Sequence, residues 1–192
     1  MPTRFCMRCW REQPLLATTC AACGAPLYGP ESNGVPYTEK LLRALDNLDN
    51  LDNRENLGNS DGDSNDAIHA RAIQALGYLG DAHDQRVARA LMRALSGESH
   101  TGMRPSNSAQ VAAIYALIEL DICQVSDALA ELAGSALTRS AVGVCAAEGL
   151  GSLARNGCAQ AAWQLEQLAR EAALSAVRSA ATIELARLYE PN

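Results

Sequence analysis

Four eight-residue stretches, AIQALGYL (72–79), AIYALIEL (113–120), AAEGLGSL (146–153) and ATIELARL (181–188), share one pattern of apolar and polar positions. Each opens on Ala and places Leu fifth and eighth, so they align without gaps. The fifth-position leucines, Leu76, Leu117, Leu150 and Leu185, stand 41, 33 and 35 residues apart. A second helical pattern falls between the blocks, at RVARALMRAL (86–95), SDALAELA (126–133) and AAWQLEQLA (161–169). Helix pairs recurring at that period, with small residues where helices approach, predict a mainly α chain built as a short α-solenoid. The competing architecture is an irregular helical bundle of similar composition.

The first unit, HARAIQALGYLGDAHDQRVARALMRAL (69–95), combines an Arg71-Ala72 helix opening, the ALGYLGD turn and the ARALMRAL helix. In these features it resembles the HEAT-like repeat family typified by phycobilisome lyases. The resemblance covers roughly Asp66 to Tyr189, strongly in the first unit and loosely afterwards, and implies stacked helix pairs whose second helices line a concave binding face. It does not bring a catalytic site with it, because repeats are not a catalytic motif. Some HEAT-like enzymes hold two irons through His-Glu pairs, and none of His69, His83 and His100 is followed by Glu. Cys123, Cys145 and Cys158 lie in or beside helices and read as small apolar residues. The chain is therefore expected not to be an enzyme, with a bilin- or cofactor-handling lyase as an alternative.

Ahead of the first unit, KLLRAL (40–45) matches ALMRAL (90–95) and sets Leu41, Leu42, Leu45 and Leu48 on one helical face. Residues 37–50 thus read as a leading half-repeat. The Leu-Asp-Asn triplets that follow advance the leucines by three, drifting about 60° per step around a 3.6-residue turn. Residues 51–65 are accordingly expected to be an acidic loop before a helix that opens at Asn65 or Asp66. The run DGDSND offers Asp61, Asp63 and Asn65 at alternate positions, as a calcium loop would. Asp66 then stands where that loop needs Gly and Ala72 where it needs a bidentate Glu, so calcium is discounted.

Four of the seven cysteines fall in the first 23 residues, as CMRC (Cys6, Cys9) and CAACG (Cys20, Cys23). Two C-x-x-C pairs ten residues apart can present four thiolates tetrahedrally, each pair from one tight knuckle. Gly24 suits the sharp second knuckle, and Gln13-Pro14 is the expected turn of an intervening hairpin. The segment resembles the short zinc ribbons of many cytosolic proteins, departing from them at Trp10, where those modules carry Gly. With all four ligands cysteine, one structural zinc per chain is expected; two disulfides are the competing reading. The expected organisation is a zinc ribbon over 1–28, a Pro/Gly linker over 29–36 and the solenoid over 37–192.

The net charge of −6 sits in one place: residues 46–66 hold seven acids and Arg54, leaving 15 basic and 15 acidic residues elsewhere. That balance disfavours a nucleic-acid surface, which is broadly basic. The alternative is a ribonucleoprotein accessory using Arg4, Arg8, Trp10 and Arg11 around the first knuckle. No stretch approaches the ~20 apolar residues of a membrane span and no signal-like region follows Met1, so a cytoplasmic protein is expected. Arg86, Arg89 and Arg93 share one side of their helix, opposite Val87, Ala90, Leu91, Ala94 and Leu95, and Arg43 is placed to join them. The expected function is that of an adaptor holding a protein partner on this surface, with the ribbon as a second contact.

Overall fold

The computed structural model describes residues 3–6, 9, 11–14, 16–27, 38, 39, 41–43, 45, 65–81, 83–96 and 106–190. The linker over 29–36, the acidic loop up to residue 64 and Leu48 lie outside the described residues. Two short strands, β1 (Thr3–Phe5) and β2 (Glu12–Pro14), pair antiparallel with Phe5 opposite Glu12 and Thr3 opposite Pro14. Helical backbone follows at residues 38, 39, 41–43 and 45. Among the described residues seven α-helices follow: α1 (Asn65–Leu79), α2 (Gln85–Ser96), α3 (Asn107–Glu119), α4 (Ser126–Gly134), α5 (Ser140–Arg155), α6 (Ala159–Glu171) and α7 (Ser175–Tyr189). The protein is mainly helical, and no described helix is long and apolar enough to cross a membrane.

Each aligned block lies in an odd-numbered helix, and each of those packs on the next: α1 on α3, α3 on α5, α5 on α7. The blocks bury the same positions. Their leading alanines, Ala72, Ala113, Ala146 and Ala181, are wholly buried, whereas Gln74, Tyr115, Glu148 and Ile183 at the third position are exposed. The contacts also recur. The sixth position of one block meets the fourth position of the next, as Gly77 with Ala116, Ile118 with Gly149, and Gly151 with Glu184. A Cβ on Gly77 would stand 2.6 Å from the Cα of Ala116, so this helix pair approaches as closely as it does only because one side chain is missing.

The even-numbered helices pack on the odd-numbered ones that follow them: α2 on α3, α4 on α5 and α6 on α7. In α2 the buried residues are Val87, Ala90, Leu91, Ala94 and Leu95, the five the sequence pattern sets inward. Leu41, Leu42 and Leu45 join the same core. The turns use polar residues in fixed roles. Asp84 accepts from the backbone N–H of Arg86 at 2.9 Å and so caps α2, and Ser106 accepts from Ala109 at 3.2 Å to cap α3. After α3 and α5 the chain turns alike, with Asp121 (φ 51°) and Gly157 (φ 96°) in the left-handed region. The next amides, Ile122 and Cys158, return to Leu117 and Leu153.

One expectation is overturned here. Cys123 and Cys158 are not separate apolar fillers: they sit in these equivalent turns and form a disulfide, with Cα atoms 5.8 Å apart. Asn156 donates to Asp121 across the same two turns at 3.1 Å. Cys145 alone among the three is a buried free thiol; burial pushes its pKa up, against a hydrogen bond with Tyr115.

Candidate metal centre

The first knuckle is closed by the strand pair. Phe5 faces Glu12, and just beyond this pair the Cys6 amide bonds to the Arg11 carbonyl at 3.0 Å, drawing the two ends of the first knuckle together. The turn expected at Gln13-Pro14 is therefore corrected: both residues end β2, and the chain turns just beyond, where the Ala17 amide meets the Pro14 carbonyl. The second knuckle is a turn over residues 21–23. It is fixed by the Gly24 amide bonding to the Cys20 carbonyl at 2.9 Å and by the Cys20 amide bonding to Ala25 at 2.8 Å. Gly24 takes φ 67°, which is why glycine suits the position.

The sequence reading places Gln13 in a turn and gives its side chain no role. Its side chain is only 6% exposed, and its Oε1 accepts from the Ala21 amide at 2.9 Å, fastening the second knuckle to β2. A buried amide in so small a core holds its place only by being hydrogen-bonded. Nothing in the local sequence separates this glutamine from an exposed one.

The two knuckles bring Cys6, Cys9, Cys20 and Cys23 together, with all four sulfurs within 4.8 Å of one another. Cys6 Sγ lies 3.6 Å from Cys23 Sγ, and Cys9 Sγ lies 3.5 Å from Cys20 Sγ, so each close pair joins one knuckle to the other. Cys6, Cys9 and Cys20 are buried and form their own small cluster with Ala25, separate from the helical core. Burial pushes the Cys9 thiol up to about 12. Burial acts on Cys20 in the same sense, but the amides of Cys23 and Ala22 and the neighbouring thiols outweigh it and bring Cys20 down to about 7. Four thiol sulfurs so disposed are compatible with a metal ion, which would hold all four as thiolates.

The other residues singled out in the sequence are placed in part. Arg43, Arg86, Arg89 and Arg93 line one groove with Glu39, Leu42 and Met92. Of the residues named for nucleic acid, Arg4 lies in β1 and Arg11 follows the first knuckle, while Arg8 and Trp10 lie outside the described residues. Among the described residues the four cysteines are the one group of His, Cys, Asp or Glu side chains arranged to hold a metal.

A buried ion pair was also missed. Glu184 is 2% exposed yet carries a carboxylate, and both Arg155 and Arg187 pair with it. The available signal was its place in the aligned blocks, where the other three carry Ala75, Ala116 and Gly149. Comparison with protein-family models, curated proteins and solved structures finds no match for this chain.

Proposed function

We propose that the chain is a non-enzymatic adaptor: a zinc-folded ribbon joined to a short HEAT-like α-solenoid that presents its helices to a protein partner. The observation that carries this reading is the recurring contact between blocks, Gly77 with Ala116, Ile118 with Gly149 and Gly151 with Glu184. Contacts repeating from one helix pair to the next are how a solenoid builds a core, and they leave an extended surface for binding.

The cysteine cluster supports a structural role for the ribbon. Four thiolates around zinc at about 2.3 Å would stand about 3.8 Å apart. The close pairs, at 3.6 and 3.5 Å, need only a small outward shift to reach that spacing. Cysteine at all four corners leaves no position for water or substrate, so the metal would fold the segment rather than catalyse.

The test is capture from the native cell with the tagged full-length chain. Recovery of a protein partner in near-stoichiometric amount, unchanged by nuclease, fits the adaptor. Recovery that nuclease abolishes would replace it with the ribonucleoprotein reading.

A further inference from the structure

We propose that the Cys123–Cys158 bridge is a reversible thiol switch that fixes or frees the spacing of α4 and α6. The bridge joins the starts of both helices. Cys123 opens a single turn, Cys123–Val125, that runs into α4, and Cys158 is the residue immediately before α6. The two helices pack on each other. In the first turn of α4, Asp127 accepts from Gln160 at 3.0 Å and from Gln164 at 2.8 Å, both on α6. Asp127, Glu131, Gln164 and Leu168 line a groove of about 320 Å³ between the helices. The bridge therefore governs the end of this groove from which the two helices set out.

Three observations make the bridge a switch and not a fixed staple. The first is what remains without it. Leu129, Leu150, Leu153 and Leu165, from α4, α5 and α6, are wholly buried, and Asn156 bonds to Asp121 across the bridged turns. Reduction thus leaves the stack folded and frees only the ends, where exposed hydrogen bonds hold less firmly than a covalent link. The second is access. Cys123 is only partly buried, so a thiolate can reach one sulfur of the bridge. The third is the rest of the cysteines. Cys6, Cys9, Cys20 and Cys23 lie close together and unbridged. As metal ligands they need surroundings in which thiols persist, and such surroundings expose the bridge to exchange. On this last point the inference rests on the metal reading of the ribbon.

The reaction is exchange with a small-molecule thiol of the glutathione class. Its thiolate attacks the accessible Cys123 sulfur, forms a mixed disulfide there and expels Cys158 as a thiolate. Cys158 stands at the N-terminal end of α6, where the helix dipole favours negative charge and so eases its departure. The Cys158 thiolate then takes up a proton, and a second small thiol displaces Cys123 in the same way. Two small thiols are oxidised to one disulfide while Cys123 and Cys158 are reduced to two thiols, so the two electrons balance. Oxidised glutathione reverses both steps.

The test is hydrogen exchange by mass spectrometry on the full-length chain, in glutathione buffers graded from wholly oxidised to wholly reduced. Alkylation of the same samples reports the state of the bridge. A millimolar excess of reduced glutathione should open it and speed exchange over residues 122–130 and 158–165 at least about tenfold. The interior of α5 should exchange as before, and oxidised glutathione should restore the slow state. Cys123→Ser with Cys158→Ser should exchange in every buffer as reduced wild type does, while Cys145→Ser keeps the whole response. A bridge that survives the reduced buffer, or opens with exchange unchanged at both helix starts, overturns the proposal. So does faster exchange that spreads through α5, or a response that Cys145→Ser abolishes. Zinc measured in the same samples separates this result from the ribbon reading. Zinc retained beside a bridge that never opens removes the switch and leaves the ribbon. A bridge that cycles in a chain carrying no zinc in any buffer removes the ribbon and leaves the switch.

Discussion

Gly151 of α5 lies directly against the buried carboxylate of Glu184 in α7, so that a Cβ on the glycine would overlap the carboxylate. The two residues are complementary: the block that admits a Glu where its relatives have Ala or Gly faces a neighbour with no side chain. Arg155 and Arg187 pair with the acid from positions that remain partly exposed. Gly151→Ala is expected to destabilise the protein by about 1–3 kcal/mol through overpacking. Glu184→Ala leaves the two arginines free to be solvated, so it strands no buried charge. In the double variant the new methyl fills the space the acid vacates. Urea unfolding of the four proteins should therefore give a double variant more stable than the sum of the single losses, by about 0.5–3 kcal/mol. Strict additivity would mean that the two residues do not share the space described.

The disulfide between Cys123 and Cys158 closes a separation of 35 residues and joins the turns after α3 and α5. On the loop-entropy argument a bridge of that span stabilises by about 3–4 kcal/mol. Cys158→Ser should lower the urea midpoint under oxidising conditions and leave it nearly unchanged in reductant. Equal effects in both conditions would show that the loss comes from packing.

Asp84 links the first turn to pH. The hydrogen-bonded Arg86 side chain and the Arg86 amide hold its carboxyl below its ordinary 3.8. A depressed folded pKa means that the contribution is present above 3.8 and is lost as pH falls through the lower folded value. Asp84→Ala should thus lower the unfolding midpoint at neutral pH, with the gap to wild type closing in strong acid. A gap that stays constant with pH would assign the effect to something other than the ionised cap.

Much of the helical layout was legible because it rests on periodicity. In α2 the pattern sets five residues inward and three arginines outward, and burial follows the pattern residue by residue. The cysteine spacing likewise specifies a cluster, since two knuckles can meet around one point with few alternatives. What the sequence conceals depends on which units stack and how closely. Glu184 looks like any helical surface acid until Gly151, 33 residues earlier, is known to face it. Cys123 and Cys158 each follow an ordinary helix, and only the equivalence of their turns brings them within bonding distance. The turn expected at Gln13-Pro14 illustrates a local signal overruled. Proline is tolerated at the end of an edge strand, and pairing with β1 placed it there.

The claim that the amino-terminal module is folded by a metal has the most direct test. It is the zinc content of the purified full-length chain by inductively coupled plasma mass spectrometry. The arrangement of Cys6, Cys9, Cys20 and Cys23 predicts about one zinc per chain, lost in Cys9→Ser, while the helical circular dichroism persists. The same protein, denatured with chelator but without reductant, should then titrate as five thiols, the four ligands and Cys145. A metal-free wild-type chain with one free thiol would contradict the account, because the cysteines would then be bridged in pairs.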